Sequence, residues 1–266
     1  MRMIYQQNKR KGVLLYMQFS SKLSLIPTKV AEPVLKKRSY RAAILHVIKE
    51  TMQQTDPNML NKLYGNNSMQ KQFATAFYLD NVRFEQGTDI KVNNGASITF
   101  KFSSNNEEIS IAFLNVFMAL AAKKKTKLTP AFDISIAYPK IYQNMNIGNS
   151  ETIIIKTVSP IVINDHKDKK DYFYSAKTNY QKFEELLKDN LKFELITFNE
   201  LDLVHKVDEL NIIPINVNKS VQTSYDLDIE CSTGSFVLSA DPALLNYIIN
   251  NGLGSKRGLG FGLLRI

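Results

Sequence analysis

The sequence has one cysteine, Cys231, in 266 residues. That excludes a disulfide framework and a thiolate metal cluster. It has three histidines, His46, His166 and His205, far apart along the chain, so no zinc site is expected and no other metal or cofactor is called for. No apolar run approaches the ~20 residues that a membrane-spanning helix needs. The first eleven residues are basic and polar. No apolar stretch or small-residue cleavage site follows them, so they read as a frayed leader of a cytoplasmic protein with no membrane partner. Glycine is sparse except at one place: five of the eleven glycines lie between Gly252 and Gly262.

The composition, 44% hydrophobic and 22% charged, is that of a globular chain long enough to bury a sizeable core. The formal net charge of +9 and the pI near 9.4 point to a polyanionic partner, either a nucleic acid or an acidic surface. A merely solvated basic surface is the competing reading.

The ending, Gly252-Leu-Gly-Ser-Lys-Arg-Gly-Leu-Gly-Phe-Gly-Leu-Leu-Arg-Ile266, is the most distinctive stretch. Glycines allow positive φ and close backbone approach, and successive exposed N–H groups form an anion-binding nest. Lys256 and Arg257 sit between them. The stretch is neither a dinucleotide fingerprint nor a Walker loop, because it follows a short helix and precedes a terminal strand. It reads as a phosphate-binding loop using Lys256, Arg257 and the backbone around Gly252, Gly254, Gly258 and Gly260. A tight packing turn with exposed charges is the alternative.

Periodicity gives the elements in order. Residues 13–25 alternate as a strand ended by Pro27. A helix is expected from about Glu32 to Met52, with Pro33 in its first turn. Its apolar face carries Tyr40, Ile44, Leu45, Val47, Ile48 and Met52, which leaves His46 on the polar face beside Lys49 and Glu50. Asp56-Pro57 opens a loop that runs to Gln70. Strands are expected at 71–79 and 82–85, then a turn at Gln86-Gly87 and a strand around Ile98, Phe100 and Phe102. Glu107–Ala122 is helical, acid-led and lysine-closed as the helix dipole prefers. Ala131–Tyr138 is a strand, and 139–150 is a connector.

The order then restarts. Residues 152–163 form a strand, 165–171 a charged loop, and 175–191 a helix with Phe183, Leu187 and Leu191 on one stripe. Residues 193–223 read as strands and loops. Residues 225–231 and 236–238 read as a hairpin about Ser232-Thr233-Gly234-Ser235. Asp241-Pro242 starts a helix running to about Asn250, and Phe261–Ile266 is a last strand. The fold class is therefore α+β: tandem ferredoxin-like βαββαβ units over residues 1–140 and 150–266.

The terminal Gly-Leu-Gly-Ser-Lys-Arg-Gly-Leu-Gly-Phe-Gly-Leu-Leu resembles the glycine-rich signature of the CRISPR repeat-processing endoribonucleases (CRISPR-associated protein six, in the RAMP superfamily). Thr157-Val-Ser-Pro-Ile161 is similar to that family's Ser-Pro-Ile segment. Asp189-Asn-Leu-Lys192 also fits, and Lys71-Gln-Phe-Ala-Thr-Ala76 is similar to its Lys-Pro-Phe strand without the proline. The resemblance implies tandem ferredoxin-like domains and one metal-free cut in a CRISPR repeat RNA, leaving a 2′,3′-cyclic phosphate and a 5′-hydroxyl. It implies His46, Tyr64 and Lys71 as the catalytic set, with Lys49 an alternative to Lys71. Relatives carry tyrosine in this helix and histidine in the following loop, whereas this chain has His46 in the helix and Tyr64 in the loop. Histidine titrates near neutrality and suits either proton role. A solvated surface histidine is the competing reading of His46. His166 reads as a solvated loop residue, and His205 is given no role. The superfamily also includes non-cutting RNA-binding subunits, so effector-complex subunits and a homodimer stand among the partner expectations.

Overall fold

A computed structural model of the chain describes residues 17–29, 33–65, 71–85, 87, 89–167, 170–224 and 227–266. The expected leader, the strand start at 13–16, the helix start at Glu32, residues 66–70 of the loop, Gln86, Asp168 and the strand start at Tyr225 lie outside the described residues.

The first unit runs β1 (Met17–Pro27), β2 (Val34–Lys36), α1 (Tyr40–Thr55), α2 (Pro57–Tyr64), β3 (Ala74–Phe84), β4 (Asp89–Ser104), α3 (Glu107–Ala121), β5 (Thr126–Lys127), β6 (Phe132–Ile136) and β7 (Lys140–Tyr142). Every pairing in its sheet is antiparallel, and β4 and β6 flank β1 while β3 lies outside β4. The spatial order β3-β4-β1-β6 is that of a ferredoxin-like unit.

The second unit runs β8 (Thr152–Thr157), β9 (Ile163–Lys167), β10 (Lys170–Tyr174), α4 (Tyr180–Thr197), α5 (Leu201–Val204), β11 (Asn211–Ser224), β12 (Leu227–Ser239), α6 (Pro242–Asn251) and β13 (Leu264–Arg265). Its sheet, β11-β12-β8-β13, repeats the same topology, with the β9–β10 hairpin inserted after β8. Among the described residues no helix is long and apolar enough to cross a membrane.

Several expectations change. Helix α1 starts at Tyr40, not Glu32, because Pro33 leads into β2, whose Leu35 pairs with Ile90 on β4. Asp56-Pro57 opens helix α2 rather than a loop. The Asp56 carboxylate accepts from the Met59 N–H at 2.9 Å, and proline at the first position gives up no needed donor. Tyr64 thus ends a helix instead of sitting in a loop. The two strands expected at 71–85 are one, β3, kinked where Asn81 takes φ 56°. The charged loop expected at 165–171 is the β9–β10 hairpin.

The expected hairpin about residues 232–235 is instead the interior of one strand, β12, whose hairpin partner is β11. Gly234 serves close approach there, not turning: a Cβ would lie 1.9 Å from the Asn216 carbonyl oxygen, at the register shift after Pro214. Residues 193–223 begin as the last turn of α4 and end as β11. Of the expected final strand Leu264 and Arg265 pair with β8, and Gly262 makes only an isolated bridge to Thr75.

The first core is phenylalanine-rich. Phe100 stacks on Phe117 at 4.5 Å and Phe102 on Phe113 at 4.7 Å. The apolar face expected for α1 is the buried one. The second core gathers Ile155, Phe183, Leu187, Phe236 and Ile248. The C-terminal residues stitch the units together. Thr75 on β3 bridges Gly262, its Oγ donates to the Arg257 carbonyl at 2.9 Å, and Ser159 Oγ donates to the Thr75 carbonyl at 3.0 Å.

Candidate active-site cleft

The tail from Gly252 to Leu263 is built as a clasp. Helix α6 ends at Asn251, and Gly252 lies buried against Ala74. The Leu253 N–H donates to the Gly262 carbonyl at 2.9 Å, and the Gly262 N–H donates to the Pro160 carbonyl at 2.8 Å. The segment resembling Ser-Pro-Ile therefore anchors the tail, since Ser159 Oγ accepts from the Leu263 N–H while its hydroxyl reaches Thr75. Gly252, Gly258, Gly260 and Gly262 are buried, and only Gly254, Ser255, Lys256 and Leu259 reach the surface in part. The expected open nest of amides is thus mostly a packing joint. The Gly260 N–H, for instance, is already taken by Thr75 Oγ at 3.0 Å.

Arg257 corrects the sequence reading most sharply. It is 5% exposed. Its Nη2 donates to Glu194 at 2.6 Å and to the Lys71 carbonyl at 2.7 Å, and its Nη1 donates to the Asn251 carbonyl at 2.9 Å. Both terminal nitrogens of the guanidinium are thus committed to protein oxygens, while the residue still borders the neighbouring cleft. Glu194 also accepts from the Tyr247 hydroxyl at 2.8 Å. Burial, with the Glu194 charge second, pushes the Tyr247 phenol well above its ordinary range.

Beside this knot lies an open cleft of about 530 Å³, lined by Lys49 of α1, Tyr64 of α2, Lys71, Asn190 and Glu194 of α4, and Lys256 with its neighbours. Lys49 Nζ stands 4.3 Å from the Tyr64 ring centroid, and Lys71 Nζ 5.1 Å from it, so both ammonium groups lean on one aromatic. Tyr64 packs onto the first core. Burial, and then the Lys49 charge, lowers the Lys71 pKa from its ordinary value. Two cations held together and partly desolvated gain from an anion placed between them.

Lys256 borders the same space with a left-handed backbone, φ 56°. Its Nζ bonds Asp171 Oδ2 at 3.1 Å, and Asp171 also bonds His166 Nδ1 at 2.9 Å. That hydrogen bond to His166, with Lys256 helping, holds the Asp171 carboxyl below its usual range.

Of the expected catalytic set, the structure brings Tyr64 and Lys71 together at the cleft with Lys49. It does not put His46 in the lining. The His46 side chain is 71% exposed and Nε2 lies 3.2 Å from Glu50. Its link to the cleft is one helical turn, since Lys49 follows it at i+3 on the same surface. Gly254 and Gly258 line the cleft; Gly252 and Gly260 do not. Asn190, Glu194 and Asp171 carry no functional signal in the sequence. Asn190 falls within the Asp189–Lys192 segment, but nothing in periodicity marks an exposed helix position as cleft-facing.

Comparison with known proteins agrees with this architecture. The family model "CRISPR associated protein Cas6, C-terminal" matches residues 142–266. Among curated proteins none matches the sequence. A solved structure described as an RAMP protein binding different RNA substrates superposes with a TM-score of 0.73, at 18% identity over 94% of this chain and 99% of that one. A Cas6-related protein from Pyrococcus furiosus gives 0.71 at 18% identity, covering 94% of this chain and 98% of its own. A CRISPR associated protein Cas6 gives 0.64 at 20% identity, again over 94% and 98%. These likenesses carry the tandem ferredoxin-like fold, and residues 142–266 match the C-terminal domain of the CRISPR-associated Cas6 family.

Proposed function

We propose that the protein binds CRISPR repeat RNA and cuts it once, with a phosphate of the strand seated in the cleft between Lys71, Lys49 and Lys256. In this reading the 2′-hydroxyl beside the scissile phosphate attacks phosphorus as it loses its proton to a base. The 5′-oxygen leaves with a proton from an acid, giving a 2′,3′-cyclic phosphate and a 5′-hydroxyl. Lys71 stabilises charge on the phosphorane. Tyr64, held at the cleft by both lysines, orients or shares a proton. His46 supplies a proton step from the rim. The catalytic residues belong to the 1–140 unit and the tail to the 150–266 unit. Arg257 acts here as the structural pin of the tail, not as a phosphate ligand. The observation that carries the reading is the convergence of two lysines on Tyr64 beside the Lys256 tip.

The position of His46, outside the cleft lining and facing Glu50, favours a second reading: a repeat-RNA-binding subunit of an effector complex that makes no cut. Purified protein incubated with repeat transcript in excess EDTA, with product ends mapped, separates the two. Cleavage in EDTA that is lost in His46→Ala and Lys71→Ala, while RNA binding persists, supports the endoribonuclease. Binding without any cut supports the subunit. Undiminished cutting by His46→Ala removes that residue from the mechanism.

A further inference from the structure

Among the described residues two arginines are almost sealed from solvent, Arg257 at 5% exposure and Arg41, near the start of α1, at 7%. Their charges are handled differently. Arg257 has the Glu194 carboxylate. Arg41 has no carboxylate partner among the described residues. Its Nε donates to the Tyr40 hydroxyl at 3.1 Å and its Nη2 to Gln222 Oε1 at 3.2 Å, and both acceptors are uncharged. The guanidinium lies 4.9 Å from the Phe261 ring centroid and 5.8 Å from that of Tyr40. Aromatic faces offset part of the cost of removing a cation from water, but they do not cancel its charge. Arginine does not shed its proton, so the charge persists without a counter-charge.

An open pocket of about 180 Å³ meets this group. It is lined by Lys37, Tyr40 and Arg41, by Phe77 and Phe84 of β3, and by Gln222 of β11 with their neighbours. The Arg41 bond to Tyr40 is buried, whereas the bond to Gln222 is only part-buried, so the guanidinium meets the pocket at its Nη2 edge. No aspartate or glutamate lines the space. The Asp228 carboxylate, which accepts from Thr223 Oγ1 at 2.9 Å, stays outside the lining. Helix α1 adds a field of the same sign. It is 16 residues long, has no acid in its first turn, and its N-cap Ser39 makes no side-chain bond. A guanidinium, an ammonium and a helix N-terminus around one small space make an oxyanion site. The volume is below the ~300–1,000 Å³ of ordinary small-molecule pockets and suits a single phosphate group. None of these lining residues lines the cleft.

We propose that this pocket binds one phosphate group, which neutralises Arg41 and ties α1 of the first unit to β11 of the second. The group is either free in solution or carried by a bound RNA strand. Only the second source rests on the RNA-binding reading above.

The test follows the thermal unfolding midpoint of the full chain as sodium phosphate replaces sodium acetate at constant ionic strength and pH. The expected result is a saturable rise, about 3 °C at ten times the half-saturating concentration. Arg41→Gln removes the charge and should abolish the rise. Lys37→Gln, at the half-buried rim, should raise the half-saturating concentration about ten-fold. It decides the matter alone if Arg41→Gln does not fold. A midpoint that phosphate and acetate leave equal overturns the site, and so does a rise that the variants leave intact. Repeat transcript then identifies the source. If the strand carries the phosphate, free phosphate weakens RNA binding by the wild type several-fold more than by the variant that abolishes the rise. If it weakens both alike, the ligand is the free anion. If no RNA binds, the RNA-binding reading falls and the site stands or falls on the midpoint alone.

Discussion

The Arg257 guanidinium stands 2.6 Å from the Glu194 carboxylate, and both side chains are almost sealed from solvent. One partner comes from the tail and the other from α4, while the same guanidinium holds the Lys71 carbonyl of the first unit. The pair thus fixes the tail, the second unit and the segment leading into β3 with one group. Breaking it leaves an uncompensated buried charge. Arg257→Ala is expected to cost about 3–5 kcal/mol in urea unfolding. Arg257→Lys should not rescue it, because an ammonium cannot reproduce the forked contacts. The double variant Arg257→Met with Glu194→Met should be more stable than either single one. An Arg257→Ala protein with unchanged stability and weakened RNA binding would instead restore Arg257 as a phosphate ligand.

Lys71 gives a pH prediction with a definite sign. Burial first, and the Lys49 charge second, holds its ammonium below the ordinary lysine value of 10.5. In the window between the folded pKa and 10.5 the unfolded chain binds more protons at this site. The group's contribution to stability therefore rises as pH rises through that window. Any activity that needs the Lys71 charge falls over the same rise. Lys49→Gln should move the pKa up towards the ordinary value without reaching it, since burial remains. A titration of the Lys71 side-chain NMR signal checks this, and a pKa indifferent to Lys49→Gln would refute the coupling.

Lys256 and Asp171 form a second, shallower pair at 3.1 Å, and it sets how much charge the tip offers to a ligand. Lys256→Ala should lower RNA affinity evenly across sequences and reduce the slope of log affinity against log salt by about 1. Asp171→Ala should act in the opposite direction, because it removes the carboxylate that competes with a phosphate for the same ammonium. Asp171 also titrates usefully. Its depressed pKa means that its pairing contributes stability above the ordinary carboxylate range and loses it as pH falls through the folded value. A salt slope that ignores both variants would place the RNA backbone away from the tip.

Legibility in the sequence differs by element, for physical reasons. Helices α1 and α3 are legible through their apolar periodicity, and α6 through Asp241, which caps it, with Pro242 at its first position. The βαββαβ order survives even where strand ends do not, since topology depends on the elements and not on their limits. The hairpins β9–β10 and β11–β12 are hard to read because Asp, Lys, Ser and Gly occur in turns and also in exposed strands. Tyr64 and Lys71 stand out through their place in a recognisable segment. Arg257 misleads because a cation between glycines looks exposed. Only the fold shows that Glu194, 63 positions earlier in the chain, waits beneath it.

The last prediction tests whether the tail glycines serve packing or ligand approach. Gly260 takes φ +91°, and a Cβ there would lie 2.5 Å from the Phe77 ring. That ring is buried in the first core, 5.5 Å from Phe100, so it cannot swing away freely. Gly260→Ala therefore meets a backbone penalty and a clash together, and a loss of about 2–4 kcal/mol is expected from strain and overpacking combined. Gly148, at φ +59° with nothing within 4 Å of its would-be Cβ, is the matched control. Gly148→Ala carries the backbone term alone and should cost about 1 kcal/mol. Urea unfolding of both variants, with RNA affinity measured in parallel, decides the point. If Gly260→Ala keeps wild-type stability but loses RNA, the glycines serve the ligand. If it loses stability and then binds RNA normally wherever it is folded, they serve the joint that holds Lys71 and Lys256 at one cleft.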